Sequence, residues 1–411
     1  MAESAKDRTI LRDLAREAAK AAALPVHAEK IALWKRLNRL DKVRPMVWIN
    51  EICWNEMGPE VALRCTGKFC RRWEQHLREI LYQWRHMPAD MVVEGVLWSP
   101  LVIRDSGFGV EMCATRPQGK GMVAVDYVPV ISTEADVDKI RTPEVTVDRQ
   151  ASDRQFERLA SLVGDIMPVR ERGTTDYWFS PWDLLVTYLG TTEMMMDMAL
   201  RPAYVHKVVG RMVEALAARL DQLQAQGALA LNNGYHRVGS GGLGYSDELP
   251  QKDFDGVHVR PIDLWGTATA QIFSEVSPAM HEEFALRYEL KWLERFGLNC
   301  YGCCEPLHKK IGLLKQIPRL RRISMSPKAN VEEGVAAIGD RYIFSHKPNP
   351  AVLAVETWNP DAARKALRSV LERTRGCRVE IIMKDISTVR GQPKRLWEWS
   401  RIAMEEAERF V

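Results

Sequence analysis

Apolar residues recur along this chain in two rhythms: stretches with helical spacing, and short runs bounded by glycine, proline or polar residues that suit buried strands. From Asp7 to Leu40, Ile10, Leu11 and Leu14, then Ile31, Leu33 and Leu37, fit two helices broken at Pro25. They predict an N-terminal helical extension over residues 1–44, ahead of a domain over 45–411. Pro45–Asn50 reads as the first buried strand, closed by Asn50, Glu51 and Trp54. Further strands are expected at Met91–Trp98, Thr175–Ser180, Ala228–Asn233, Asn299–Cys304, Arg322–Ser326, Tyr342–His346 and Arg378–Lys384. Helical runs separate them: Phe69–Arg85, Gln155–Val163, Pro181–Leu189, Pro202–Gln226, His281–Phe296, Pro306–Ile317, Val331–Ile338, Asp361–Thr374 and, last, Lys394–Phe410. Met122–Pro129 is a small extra strand in an excursion. Strands alternating with helices in this way predict an α/β chain folded as a (β/α)8 TIM-type barrel.

In such a barrel the chemistry sits at the carboxyl ends of the strands. Asn299–His308 places three cysteines, a glutamate and a histidine within one strand end and its following turn. Strand side chains alternate faces. With Tyr301 pointing inward, Cys303 and Glu305 follow it, and Gly302 and Cys304 point out. His236 after the fourth strand, His346 at the end of the seventh and Asp385 at the end of the eighth fall on the same rim. Cys303, Glu305, His236 and His346 would make an open zinc site, since thiolate, imidazole and carboxylate are zinc's usual ligands. The bland alternative is that a cysteine fills space as a small hydrophobe and a lone histidine is a hydrogen-bonded structural residue.

Gly234–Ser277 is a long connection, and loops of that length in compact domains are functional or disordered. It contains Gly239-Ser-Gly-Gly-Leu-Gly244, which matches a dinucleotide fingerprint in letters, yet no helix opens after it. A mobile lid over the barrel mouth is the expectation. Gln271 and Glu275, in the same connection, could reach the rim.

Composition narrows the classes. A net charge of +4 with scattered basic residues argues against nucleic acid. No apolar run approaches the ~20 residues that cross a bilayer. Met1–Lys20 carries no secretory apolar core, so a cytoplasmic location is expected, with the eight cysteines free, catalytic or metal-bound. Thirteen tryptophans are many; most fill core, but a cluster lining a pocket would suit a flat ligand.

Ser180–Gly190, Met194–Met198 and Arg201–His206 resemble the uroporphyrinogen decarboxylase superfamily, as do Ile131–Ile140 and the closing Ile323–Ser326, Gly339-Asp340 and His346–Pro350. The superfamily's decarboxylases carry an Arg-Gln-Ala-Gly-Arg run after the first strand. Trp48–Trp54 stands there instead, so porphyrinogen decarboxylation is not implied. The corrinoid-dependent methyltransferases resemble the chain better, including an N-terminal extension. In them a His-x-Cys pair and a later cysteine bind zinc. Cys303 takes the first cysteine's place, Tyr301 the histidine's, and Asp385 or Ser387 is nearest to the last. The resemblance implies transfer of a methyl group, from an aryl methyl ether, to the cobalt of a corrinoid (cobalamin-type) cofactor carried by a partner protein. Glu51, Glu305 and Asp385 would serve as acid and base, and Asn50, Trp54, Asn233 and Gln271 would shape the pocket. A homodimer is compatible with this. The alternatives are a metal-free decarboxylase or lyase acting on a small aromatic or heterocyclic acid, and a non-enzymatic barrel that binds a tetrapyrrole or a partner protein.

Overall fold

The computed structural model describes residues 3–115 and 125–410. Its centre is a parallel sheet of seven strands, in the order Met46–Ile49, Arg378–Met383, Ile343–His346, Leu320–Met325, Leu298–Tyr301, Trp265–Ala268 and Trp178–Phe179. Four of them, Met46–Ile49, Ile343–His346, Leu298–Tyr301 and Trp265–Ala268, are buried at every residue. That is how strands covered on both faces read. Helices follow the later strands, as Val331–Ile338, Pro360–Arg373 and Lys394–Glu408 do.

The arrangement is compatible with a TIM-type barrel, but no hydrogen-bonded ladder closes the ring among the described residues. Met46–Ile49 and Trp178–Phe179 are the free ends of the sheet. Beyond the first end no strand pairs among the described residues; Asp90 stands in, its N–H reaching Val47 O at 2.8 Å and its carboxylate accepting Val47 N–H at 2.7 Å. The expected Met91–Trp98 strand is displaced: Leu97–Pro100 pairs with Val169–Arg172 in a separate two-stranded ladder. Ala228–Asn233 contributes only a single parallel bridge, Leu229 to Thr174. The sheet strand that precedes Leu298–Tyr301 in the chain is instead Trp265–Ala268, inside the stretch read as a long connection. After the fully buried Trp265, its Gly-Thr-Ala residues lack the bulk that marks a buried strand. The bulk comes from a neighbour: a Cβ on Gly266 would lie 2.4 Å from the Phe296 ring. Of the Met122–Pro129 expectation, Asp126–Val128 is a strand paired with Cys113–Thr115; Met122–Ala124 lies outside the described residues.

The two N-terminal helices, Ala5–Ala22 and Val26–Asn38, form as expected. They are packed into the fold. Leu11 and Leu14 share a core with Trp73, Leu77 and Leu97. The Trp34 indole donates to Asp90 O at 2.9 Å.

The glycine-rich segment is not a lid. Residues 240–246 are all buried. They form a tight hairpin, closed by Val238 N–H to Gly242 O at 3.1 Å and Gly244 N–H to His236 O at 2.8 Å. It packs on the inner face of the sheet against Arg322 and Glu380, a fully buried ion pair at 3.0 Å. Asn38 ties the elements together: its amide donates to Leu243 O and Tyr245 O, each at 2.9 Å, and its oxygen accepts from Arg322 at 2.7 Å. Glycines are required because there is no room. A Cβ on Gly241 would sit 2.3 Å from Arg322 Cδ, and one on Gly242 2.5 Å from the Trp34 ring.

Candidate active site at the carboxyl ends of the strands

Three strand ends bring the rim together. Leu298–Tyr301 runs into Gly302, Cys303 and Cys304; Arg378–Met383 into Lys384 and Asp385; Met46–Ile49 into Asn50 and Glu51. Tyr301 does not point inward. Its hydroxyl donates to Glu289 Oε2 at 2.6 Å and lies 2.6 Å from His281 Nε2, in the helix layer. Cys303 nonetheless reaches the rim because Gly302 takes φ +93°, a left-handed conformation that breaks the strand alternation. A side chain there would also strike Leu307, at 2.4 Å.

At the rim the Cys303 and Cys304 sulfurs are 3.5 Å apart. The Lys384 ammonium lies 3.7 Å from the first, 3.8 Å from the second and 2.7 Å from Asp385 Oδ2. Glu51 Oε2 accepts from Asp385 N–H at 3.1 Å and lies 3.8 Å from Lys384 Nζ; its other oxygen pairs with Arg237 at 2.5 Å. Glu51 and Asp385 are non-glycine residues at φ 50° and 56°. Such conformations cost free energy and persist where surrounding structure enforces them, often at functional sites.

This geometry sorts the protons. Burial acts to raise the Glu51 carboxyl, but its hydrogen bond with Asp385 and the Arg237 and Lys384 charges win, holding it down at about 2. Asp385 is pushed up by burial and by the same contact with Glu51. One carboxylate is charged and its neighbour holds a proton more readily, the pattern of an acid–base pair. The Cys304 thiol is lowered to about 7 by its contact with Cys303, with Lys384 adding to the effect against burial. Cys303 is raised by that contact and by burial.

Glu305 is buried and committed. Its oxygens accept from Thr269 Oγ1 and from Cys303 N–H, both at 2.8 Å. It positions Cys303 rather than offering an open ligand. His236 stands apart from the thiols in a lateral cavity, where burial, Arg172 and Arg237 lower its imidazole to about 4. His346 faces the helix side beside Met325, Val370 and Arg373, because Ser345 takes the inward position and bonds Glu380. The four expected zinc ligands are therefore not gathered. Among the described residues three such ligand atoms come within 4.8 Å of one another at Glu3, Asp7 and Cys70. There the Asp7 carboxylate already accepts Thr66 N–H at 3.0 Å and Gly67 N–H at 2.9 Å.

The expected pocket residues are dispersed. Asn50 Oδ1 caps Glu51 N–H at 2.7 Å, and its Nδ2 is buried without a partner. Trp54 stacks edge-on against Tyr82, 6.0 Å away. Asn233 donates to Leu249 O at 2.6 Å, and Gln271 to Asp183 at 2.7 Å.

Beside the rim, in the gap between the sheet's free ends, lies a cavity of about 530 Å³ with Trp48, Trp98, Arg172, Tyr235, His236 and Arg237 among its walls. It adjoins an outer one of about 630 Å³; both contact Glu94, Trp98, Arg172, Tyr235 and His236. Arg237 joins cavity to rim through its pair with Glu51. Sequence reading missed Lys384, Arg237 and Arg172. The first two sit next to residues it singled out, Asp385 and His236; nothing in the letters marks Arg172.

No family model and no curated protein matches this chain. Among solved structures, it is similar in fold to a methyltransferase from Methanosarcina mazei, with a TM-score of 0.52 at 10% identity over 92% of this chain and 98% of that one. No helix among the described residues is long and apolar enough to cross a membrane.

Proposed function

We propose that this protein transfers a methyl group from an aryl methyl ether, lying in the cavity beside the rim, to the cobalt of a corrinoid carried by a partner protein. The observation that carries the reading is the continuity from an aromatic-walled cavity, through Arg237 and Glu51, to Lys384, Asp385 and the two thiols. Its volume falls within the ~300–1,000 Å³ usual for small-molecule sites. Likeness in fold to a protein named a methyltransferase supports it, as does a rim open to solvent at Cys304 and Asp385, where a partner could dock.

In the reaction the ether C–O bond breaks and the methyl carbon bonds to the acceptor through the acceptor's electron pair. The phenolate oxygen leaves and takes a proton. Lys384 supplies a fixed positive charge at that point, and Asp385 is the group best placed to give the proton; both lower the cost of the leaving charge. When present, the corrinoid supplies the nucleophilic electron pair. Zinc does not fit the gathered residues: beside the thiols the Lys384 ammonium takes the place of a cation. No step is assigned to it.

The test is anaerobic incubation of the full chain with free cob(I)alamin and 4-methoxybenzoate. Loss of the cob(I)alamin absorbance with matching phenol release is expected, slowed strongly by Lys384→Met. No phenol above the protein-free rate would refute the reading.

A second reading has its own observation, the Glu51–Asp385 contact at the rim, Asp385 N–H donating to Glu51 Oε2 at 3.1 Å, in which Glu51 is pushed down and Asp385 up. Such a pair suits a metal-free decarboxylase or lyase acting on an aromatic acid. Carbon dioxide release without corrinoid would favour it.

A further inference from the structure

The lateral cavity carries donors that the protein itself leaves unused. Trp48 is only 7% exposed and Trp73 5%. Neither indole N–H, nor the buried Arg237 Nε–H, makes a well-formed hydrogen bond, although the Tyr235 hydroxyl stands beside Trp48. All three residues line the same cavity. Leaving one buried donor unpaired costs ~1–3 kcal/mol, and native structures rarely tolerate it without a reason. Arg172 adds a fourth. Its guanidinium lies over the Trp98 ring, 4.8 Å from the centroid. Among the described residues no side-chain hydrogen bond or ion pair engages it.

Every unsatisfied group here is a donor, so the missing partner is an acceptor. Arg172 makes it an anion. Two features narrow its kind. Glu94 and Asp176 line the same walls, which disfavours a multiply charged ligand such as a phosphate ester. Burial raises both carboxyls, which eases a single negative charge beside them. The walls are aromatic, with Trp48, Trp98 and Tyr235 offering faces and edges to a planar ring.

We propose that this cavity binds a small aromatic carboxylate, its carboxylate held by Arg172 and by the unpaired N–H groups of Trp48 and Arg237. This rests on the cavity being the donor site, as proposed above, and names the donor as an aryl acid.

Calorimetric titration of the full chain with benzoate tests it, because benzoate has no methyl group to give and is read independently of turnover. Benzoate and 4-methoxybenzoate are expected to bind, and neutral 4-methoxytoluene to bind more weakly than either. Arg172→Gln is expected to weaken the acids by about tenfold or more, the loss of one charge-assisted contact. Trp48→Phe, which keeps an aromatic face but removes the N–H together with the pyrrole half of the indole, should weaken them about fivefold or more and covers the case in which the arginine variant does not fold. Acids that bind no better than 4-methoxytoluene, or that bind Arg172→Gln and Trp48→Phe like the parent, would overturn the proposal. So would inorganic phosphate binding more tightly than benzoate. Benzoate binding that needs Arg172, without methyl transfer, would sink only the methyltransferase reading. Methyl transfer from 4-methoxytoluene as fast as from the acid would sink only this one.

Discussion

Gly242→Ala tests whether the glycine-rich hairpin is a fixed part of the inner face. Gly242 is not among the residues at positive φ, so alanine meets no backbone penalty there. Space is the only obstacle. The new Cβ would lie 2.5 and 2.6 Å from two Trp34 ring carbons and 2.8 Å from Glu380 Oε2. Trp34 is fully buried and pinned by its bond to Asp90 O. Glu380 is held by the Arg322 pair. Overpacking of this kind costs ~1–3 kcal/mol. Forcing Trp34 off Asp90 adds a lost hydrogen bond, ~0.5–1.5 kcal/mol. A destabilisation of about 2–4 kcal/mol follows. Urea unfolding followed by tryptophan fluorescence reads it as a lower midpoint. The internal control is Gly210→Ala, within helix Pro202–Ala225, where a Cβ would meet nothing within 4 Å. That change should stabilise by ~0.5–1 kcal/mol. A Gly242→Ala midpoint equal to the parent's, with Gly210→Ala shifted as expected, would refute the packing and restore the mobile lid.

Two further outcomes follow from the titrating groups. Cys304 is exposed and its thiol sits near 7, so iodoacetamide should label it half-maximally near neutral pH; Cys303→Ala, which removes the sulfur contact, should move the profile toward the ordinary thiol range, and an unchanged profile would contradict the assignment. Glu289 is raised to about 8, chiefly by burial, so the folded chain keeps a proton that the unfolded chain releases near 4; stability should therefore fall as pH climbs from about 4.5 to about 8, by up to ~1.4 kcal/mol per pH unit, and Glu289→Gln should flatten that slope, an equal slope in both proteins counting against it.

The sequence pattern carried furthest where each strand was itself apolar. Met46–Ile49, Leu320–Met325, Ile343–His346 and Arg378–Met383 lie where the hydrophobic runs place them, and so do the two N-terminal helices. It failed at Trp265–Ala268, where Gly266, Thr267 and Ala268 make no apolar run and Phe296 fills the space over Gly266. It failed again at Ala228–Asn233, apolar in letters but with a single bridge as its only β-pairing among the described residues.

At the site the letters named Cys303, Glu51 and Asp385, which do converge. They also grouped His236 and His346 with them, which do not. Periodicity gives the face of a residue only while the strand is regular, and Gly302 at φ +93° ends that regularity one residue before the chemistry. The sequence by itself determined the class of fold and the rim on which polar residues collect, because both follow from local spacing. Only the tertiary structure decided which of those residues meet, that Lys384 stands among the thiols, and that a hairpin fills the inner face. Those contacts join strand ends and loops far apart in the chain, and distance along a chain carries no information about distance in space.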